Sequence, residues 1–211
     1  RHLVANPYFH QVDPTGQQLP YISEQDEVYK NDNEVRLLSI VNGDVDYKAQ
    51  SLQLASAPAL LDGQAQGNYT VDLRPEITLG VFSFNVTHED EAKRNVFGDV
   101  RFREAMSIAI NRAELNDVGF FGEGTPQQYI GFSPKPAFVS DKWMSHATEF
   151  DAARANSLLD EIGMKDTDGD GFRELPNGDK LVLNMSFATQ GIAGQNVELV
   201  GQYWADVGVQ S

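Results

Sequence analysis

Asp166-Thr167-Asp168-Gly169-Asp170-Gly171 sets carboxylates at alternate positions of a short stretch that closes on glycine. Alternate residues of a tight loop point to one side, and glycine permits the sharp turn. The pattern therefore matches the first half of a calcium loop of the EF-hand type. Phe172 stands at the seventh position, where a backbone carbonyl serves as ligand, and Glu174 at the ninth. The twelfth position, where a bidentate Glu is expected, holds Asn177, and a strand rather than a helix is expected to follow. Two readings stay open. One is a weak structural calcium site built from Asp166, Asp168, Asp170, Phe172 and Glu174; the other is an acidic turn without an ion.

Other reactive constellations are sparse. His2, His10, His88 and His146 are scattered and form no His-Glu-x-x-His pair. Gly131-Phe132-Ser133-Pro134-Lys135 lacks the second glycine of a nucleophile elbow. Gly122-Glu123-Gly124 follows a predicted helix and is not continued by Lys-Ser or Lys-Thr, so it makes no phosphate loop. The chain has no cysteine, which removes thiolate nucleophiles, disulfides and thiolate metal sites together. Paired carboxylates remain as the one enzymatic option, that of a glycosidase-like hydrolase. His88-Glu89-Asp90-Glu91 reads as the acidic first turn of a helix, favoured by the helix dipole. Arg101 and Arg103 are expected to pair with nearby acids. The sequons at Asn68, Asn85 and Asn184 lie in or beside expected strands and are read as chance.

Those residues sit in a chain of 211 with 41% hydrophobic and 22% charged residues, enough for a packed core. Sixteen basic against 31 acidic residues give a net charge of −15. Such a charge repels nucleic-acid backbones and anionic lipid surfaces. The longest apolar runs are a few residues, too short to span a bilayer. The chain opens Arg1-His2-Leu3 and ends in what reads as a helix end, a Gly208 cap and the start of a strand, so a piece of a longer protein is expected.

Periodicity supplies the elements. Residues 1–30 are punctuated by Pro7, Pro14, Gly16 and Pro20 and read as extended segments and turns. A short helix is expected from Asn31 to Asn42, with Asn33 as N-cap, Val35, Leu38, Ile40 and Val41 as its apolar residues, and Gly43 as terminator. Residues 44–49 read as a strand, and a helix begins at Ser56-Ala57-Pro58 and ends near Gly67. Strands are expected over 69–75, 77–87 and 180–188 from alternating apolar residues. Asp99 caps a helix whose Phe102, Ala105, Met106, Ala109 and Ile110 share a face, and Asn111 recaps it. Asp151 caps another, with Ala152, Ala155, Leu158, Leu159 and Ile162 as its stripe and Gly163 as its stop. The last helix, from Gly191 to Val207, carries Val200, Tyr203, Trp204 and Val207 on one face. Between them residues 122–138 form a long irregular loop, the kind more often functional than idle.

At 97–126 the sequence FGDVRFREAMSIAINRAELNDVGFFGEGTP resembles the bacterial extracellular solute-binding proteins of the peptide/nickel type, family five. Asp99, Val100, Arg101, Arg103, Ala105, Ala109, Ile110 and Arg112 carry the likeness. Neighbouring motifs keep the family's order. LLSIVNGDVD is similar to its leucine-rich helix, with Asp44 in place of Glu, and FSFNVT to its Phe-Asn strand. EFDAARANSLLDEIGMKDTDGDGFRE is similar to its helix and acidic loop, with Phe150 and Ala152 replacing Tyr and Pro. VGQYWADVGV is similar to a terminal Trp-containing segment.

The resemblance implies a mixed α/β sandwich, the C-terminal lobe of a two-lobed type II periplasmic-binding-protein fold. Residues 1–30 would be an extended inter-lobe segment, and 31–211 a ligand-binding lobe incomplete at its C-terminal end. It implies a non-enzymatic subunit of an ABC importer that captures a peptide, oligosaccharide or similar solute by lobe closure. Its partners would be that solute and the permease subunits, not nucleic acid. It would be a monomer in the periplasm or outside the cell, tied to the membrane only through the parent protein. No cofactor is required, with structural calcium left open. Cleft residues are expected at loop tips: Asn85, then Gly124, Thr125, Gln127, Gln128 and Tyr129, then Thr189 and Gln190 ahead of the last helix. Free N–H groups at that helix start suit a ligand carboxylate or hydroxyl. The rival readings are a calcium-dependent glycan-binding surface module and a carboxylate hydrolase.

Overall fold

The structure, a computed structural model, describes residues 1–50, 52–74, 80–132, 134–188 and 194–211. It divides into two compact units, Arg1–Asp72 and Leu73–Ser211.

In the first unit the turn-rich opening folds back on itself. β1 (His2–Val4) pairs antiparallel with β2 (Glu24–Asp26), with Leu3 opposite Gln25. Asp13 organises the connection. One oxygen accepts the Thr15 and Gln17 amides and the Thr15 hydroxyl, and the other accepts the Tyr21 phenol at 2.7 Å. Those donors, Tyr21 first, hold its carboxyl far below the usual range. α1 (Asn33–Val41) is capped one residue earlier than expected. Asp32, not Asn33, accepts the Val35 amide at 2.9 Å. Both residue types can cap, and the anionic one gains more from the helix dipole. Ile40 is buried, but Val35 and Leu38 are exposed, contrary to the expected stripe. After a 3-10 turn, Leu54–Ser56, α2 (Ala57–Gly67) packs on α1 with Pro58 in its first turn. Gly67 allows that approach: a Cβ there would stand 2.7 Å from the Val41 carbonyl oxygen.

The second unit is built on helices. α3 (Glu91–Gly98) starts at Asp90 and hands over at Asp99, which ends α3 and caps α4 (Val100–Ile108) by accepting the Arg101 amide. Asn111 recaps the chain into α5 (Arg112–Phe120), as expected. α6 (Asp141–Met144) is one turn, α7 (Ala152–Glu161) begins at Asp151, and α8 (Gly194–Ala205) follows. α4 packs mainly on α7. Phe102, Ala105 and Met106 of α4, Ala155 and Leu159 of α7, and Val200 and Trp204 of α8 are all buried. The Trp204 indole N–H donates to the Met106 carbonyl at 3.0 Å.

The strands expected over 44–49, 69–75, 77–87 and 180–188 do not appear as ladders among the described residues; 75 and 77–79 lie outside them. Alternation marks which side chains are buried, while a strand also needs a backbone partner. The first cue holds without the second. Phe82 and Phe84 set their rings 5.2 and 5.9 Å from that of Trp204. Leu181 and Leu183 are buried, yet Val182 makes only one parallel bridge, to Gln210. The result is a mixed α/β chain with helices and a small sheet. No described helix is long and apolar enough to cross a membrane.

Candidate functional site

The loop after α5 is irregular, yet its middle is fixed from three directions. The Gln128 amide nitrogen donates to the His146 carbonyl at 2.7 Å and the Ser107 hydroxyl at 3.1 Å, and the Gln128 backbone N–H donates to the Met144 carbonyl at 2.7 Å. Ser107 donates in turn to the Ala147 carbonyl, and Arg112 donates to the Ser107 hydroxyl and carbonyl at 2.7 and 2.6 Å. Burial lowers the Arg112 pKa, with Glu149 acting weakly against it. A desolvated guanidinium served by carbonyls and a hydroxyl is a rigid hub rather than a surface charge. It joins the end of α4, the loop and residues 145–148.

Around that anchor the expected ligand residues separate into kinds. Gln128 is an anchor, with its N–H groups already engaged. Gly124 packs closely: its amide donates to Asn116 Oδ1 at 2.9 Å, and a Cβ there would lie 2.5 Å from that oxygen. Thr125, Gln127 and Tyr129 are exposed on the same loop. Asn85 is exposed at a turn leading to α3, where its side chain accepts the Thr87 amide and hydroxyl. Thr189 and Gln190, and the start expected for the last helix at Gly191, lie outside the described residues.

The acidic loop brings its residues together. Single carboxylate oxygens of Asp166, Asp168, Asp170 and Glu174 all lie within 4.8 Å of one another. Asp166 accepts the Gly169 and Gly171 amides, and both glycines take positive φ to close the turn. Glu174 is only 5% exposed and accepts the Thr167 amide and hydroxyl at 2.7 Å. Phe172 donates its amide to Asp170. An all-oxygen set of this kind suits a hard divalent cation. A cation of the chain is already there. Lys180 Nζ is 2.7 Å from Asp168 and also pairs with Asp170. Asp168, then Asp170, hold the Lys180 ammonium above its ordinary pKa, and Lys180 chiefly holds Asp170 below the carboxylate range. Asn177 turns to Asp179 instead of the cluster. Arg173 fastens the loop to the core, reaching the Val207 and Met164 carbonyls, Asp160 and Asn156.

Arg101 pairs with Asp99, as expected, and Arg103 donates to the Phe97 carbonyl. Sequence reasoning missed Ser107, Arg112 and Lys180 as site-forming residues. Arg112 was visible only as a motif position, and Lys180 reaches the acids through the turn at Asn177-Gly178, a pair that is itself a turn signal but does not tell which side chain it brings back to the acids.

Comparison with known proteins decides the family. The model of the bacterial extracellular solute-binding proteins, family 5 Middle, matches residues 2–211. The chain belongs to that family. Among its relatives is the periplasmic alpha-galactoside-binding protein of Rhizobium meliloti, 28% identical over 93% of this chain and 31% of that protein. Among solved structures, an oligopeptide-binding protein OppA is 33% identical, with a TM-score of 0.72 over 99% of this chain and 34% of that one. The periplasmic binding protein MelB from Agrobacterium fabrum C58, solved with stachyose, shares the fold at 24% identity and a TM-score of 0.61, over 99% of this chain and 33% of that one. The family 5 chain thus has the type II periplasmic-binding-protein fold and spans about a third of the length of the relatives it matches.

Within this family frame, the helix run Asp99 to Arg112 is a scaffold. It positions Phe102 and Met106 in the core and Ser107 and Arg112 under the loop.

Proposed function

We propose that this chain is the ligand-binding lobe of the solute-capturing subunit of an ABC importer, taking a peptide or oligosaccharide between two lobes and handing it to a permease. Membership of family 5 over residues 2–211 is the observation that carries this reading. The loop held by Ser107, Arg112 and Gln128 supports it: an irregular segment with exposed polar and aromatic side chains on a rigid base is what a recognition surface requires. The names of the relatives supply the ligand classes.

In this reading the chain does no covalent chemistry. Binding energy serves closure, and the closed form is what the permease recognises. The protein works outside the cytoplasmic membrane, as a monomer attached through the parent protein. The acidic loop has a structural part, with Lys180 or a calcium ion balancing Asp168 and Asp170, and no part in gripping the solute.

Saturation-transfer NMR of the chain, with neutral oligosaccharides and uncharged-side-chain oligopeptides as separate panels, tests the proposal. We expect weak transfer to members of one panel, with every solute recovered chemically intact. Cleavage of any glycosidic or peptide bond by the chain would overturn the non-enzymatic reading. Absence of transfer in both panels at tens of millimolar would overturn the binding role.

A further inference from the structure

Arg112 and Gln128 both donate to the Ser107 hydroxyl, at 2.7 and 3.1 Å. The chain between them, 113–127, leaves that hub and returns to it. It consists of the rest of α5 and the turn that follows, and it is tied to itself. The Gly122 amide donates to the Asn116 carbonyl at 3.1 Å and the Gly124 amide to Asn116 Oδ1 at 2.9 Å, so the turn folds back on the helix. Phe121 and Gly122 both take positive φ to make that reversal.

Its hold on the rest of the unit is light. α4 buries Phe102, Ala105, Met106 and Ile108, whereas α5 has no buried residue. Leu115 packs on the core only part-buried, and Val118 is half exposed. α5 meets chiefly α8, and that seam is polar at two points. The Tyr203 phenol donates to Glu114 at 2.8 Å. Further along, Gly119 comes down on Asn196: a Cβ on Gly119 would lie 2.5 Å from both Nδ2 and Oδ1 of that amide. Asn196 is 3% exposed, and its Oδ1 has no hydrogen-bond partner among the described residues. A buried acceptor without a donor weakens the state that buries it, and water satisfies it once it is uncovered.

We propose that residues 113–127 form a lid, pinned at its base by Ser107 and latched to α8 by Tyr203 and Glu114, that swings open as one unit. Opening carries Thr125 and Gln127 along with α5 and uncovers the Asn196 amide. The motion needs no solute and stands apart from the solute-binding reading.

Native-state amide hydrogen exchange on the free 211-residue chain, read residue by residue by NMR, tests the lid. We expect the amides of residues 115–122 to exchange together, at least tenfold faster than those of α4 and α7. Tyr203→Phe keeps the ring and deletes the latch hydroxyl, so it should speed exchange in α5 about tenfold and leave α4 and α7 unchanged. Asn196→Leu, similar in size and without a polar group to satisfy, should slow exchange in α5 several-fold. If Asn196→Leu fails to fold, Tyr203→Phe decides alone. Exchange of α5 at the same rate as α4 and α7 would overturn the lid. So would a Tyr203→Phe effect spread equally over the three helices, or a folded Asn196→Leu variant in which α5 exchanges as fast as before or faster.

Discussion

The Gln128 side-chain nitrogen lies 3.1 Å from the Ser107 hydroxyl oxygen, across 21 residues of sequence. The same hydroxyl accepts from Arg112 and donates to the Ala147 carbonyl, so one small side chain ties together α4, α5 and two loops.

Gln128→Ala removes the loop's side-chain anchor and should cost about 1–3 kcal/mol, since it strips partners from part-buried polar groups. Gln127→Ala, at the exposed neighbour, should stay within about 0.5 kcal/mol. Urea melts of both variants, with amide exchange of residues 124–130, check the pair. Equal effects would show that the anchor carries no weight.

Phe102→Ala and Trp204→Ala should each destabilise by roughly 3–5 kcal/mol, because both rings are fully buried and meet Phe84 edge-on or tilted. Thermal or urea melts read the loss. A change well under 1 kcal/mol at either site would place the core elsewhere.

A calcium ion at the acidic loop would have to compete with Lys180 for the same carboxylates. At ten times its Kd, calcium would add about 1.4 kcal/mol of stability. We expect little shift in the parent chain at millimolar calcium and a larger one in Lys180→Met, where the ammonium no longer holds Asp168 and Asp170. Melting curves with calcium or a chelator decide it. An unmoved Lys180→Met midpoint would leave the loop as an ion-free turn.

Asp13, Asp90, Asp99 and Asp170 all have folded-state pKa values below the ordinary carboxylate range, held there by hydrogen bonds and, for Asp99 and Asp170, by Arg101 and Lys180. Groups depressed in the folded state stabilise it above their unfolded pKa, and that stability is lost as pH falls through the folded value. The melting temperature should therefore be level near neutrality and fall below about pH 4. The fall should be gradual, because these groups are largely exposed and solvent screens them. Stability that rises on acidification would contradict the assignment.

What could be read from the sequence was local. Asp99, Asn111 and Asp151 are caps beside apolar periods, and each caps the helix expected of it. Trp204 and Phe102 fall on faces that three- and four-residue spacing defines. The carboxylate cluster followed from alternate positions and glycine. What escaped depends on distant partners. Gln128 carries no local sign of whether its amide will meet a ligand or Ser107. Lys180 lies ten residues beyond Asp170 and meets it by a turn. The segments 80–87 and 180–188 alternate like strands because one side is buried, and alternation says nothing of where a ladder partner lies.

The central claim is that this lobe holds part of a solute clamp on the loop above Ser107 and Arg112. A whole clamp of micromolar affinity is worth about −8 kcal/mol, and half its contacts would leave about −4 kcal/mol, a millimolar Kd. The direct measurement is an amide NMR titration of the 211-residue chain with stachyose. We predict fast-exchange shifts with a millimolar or weaker midpoint, centred on residues 124–129 and Asn85, with Asp166 to Glu174 unmoved. Tight binding, or shifts centred on the acidic loop, would contradict the account.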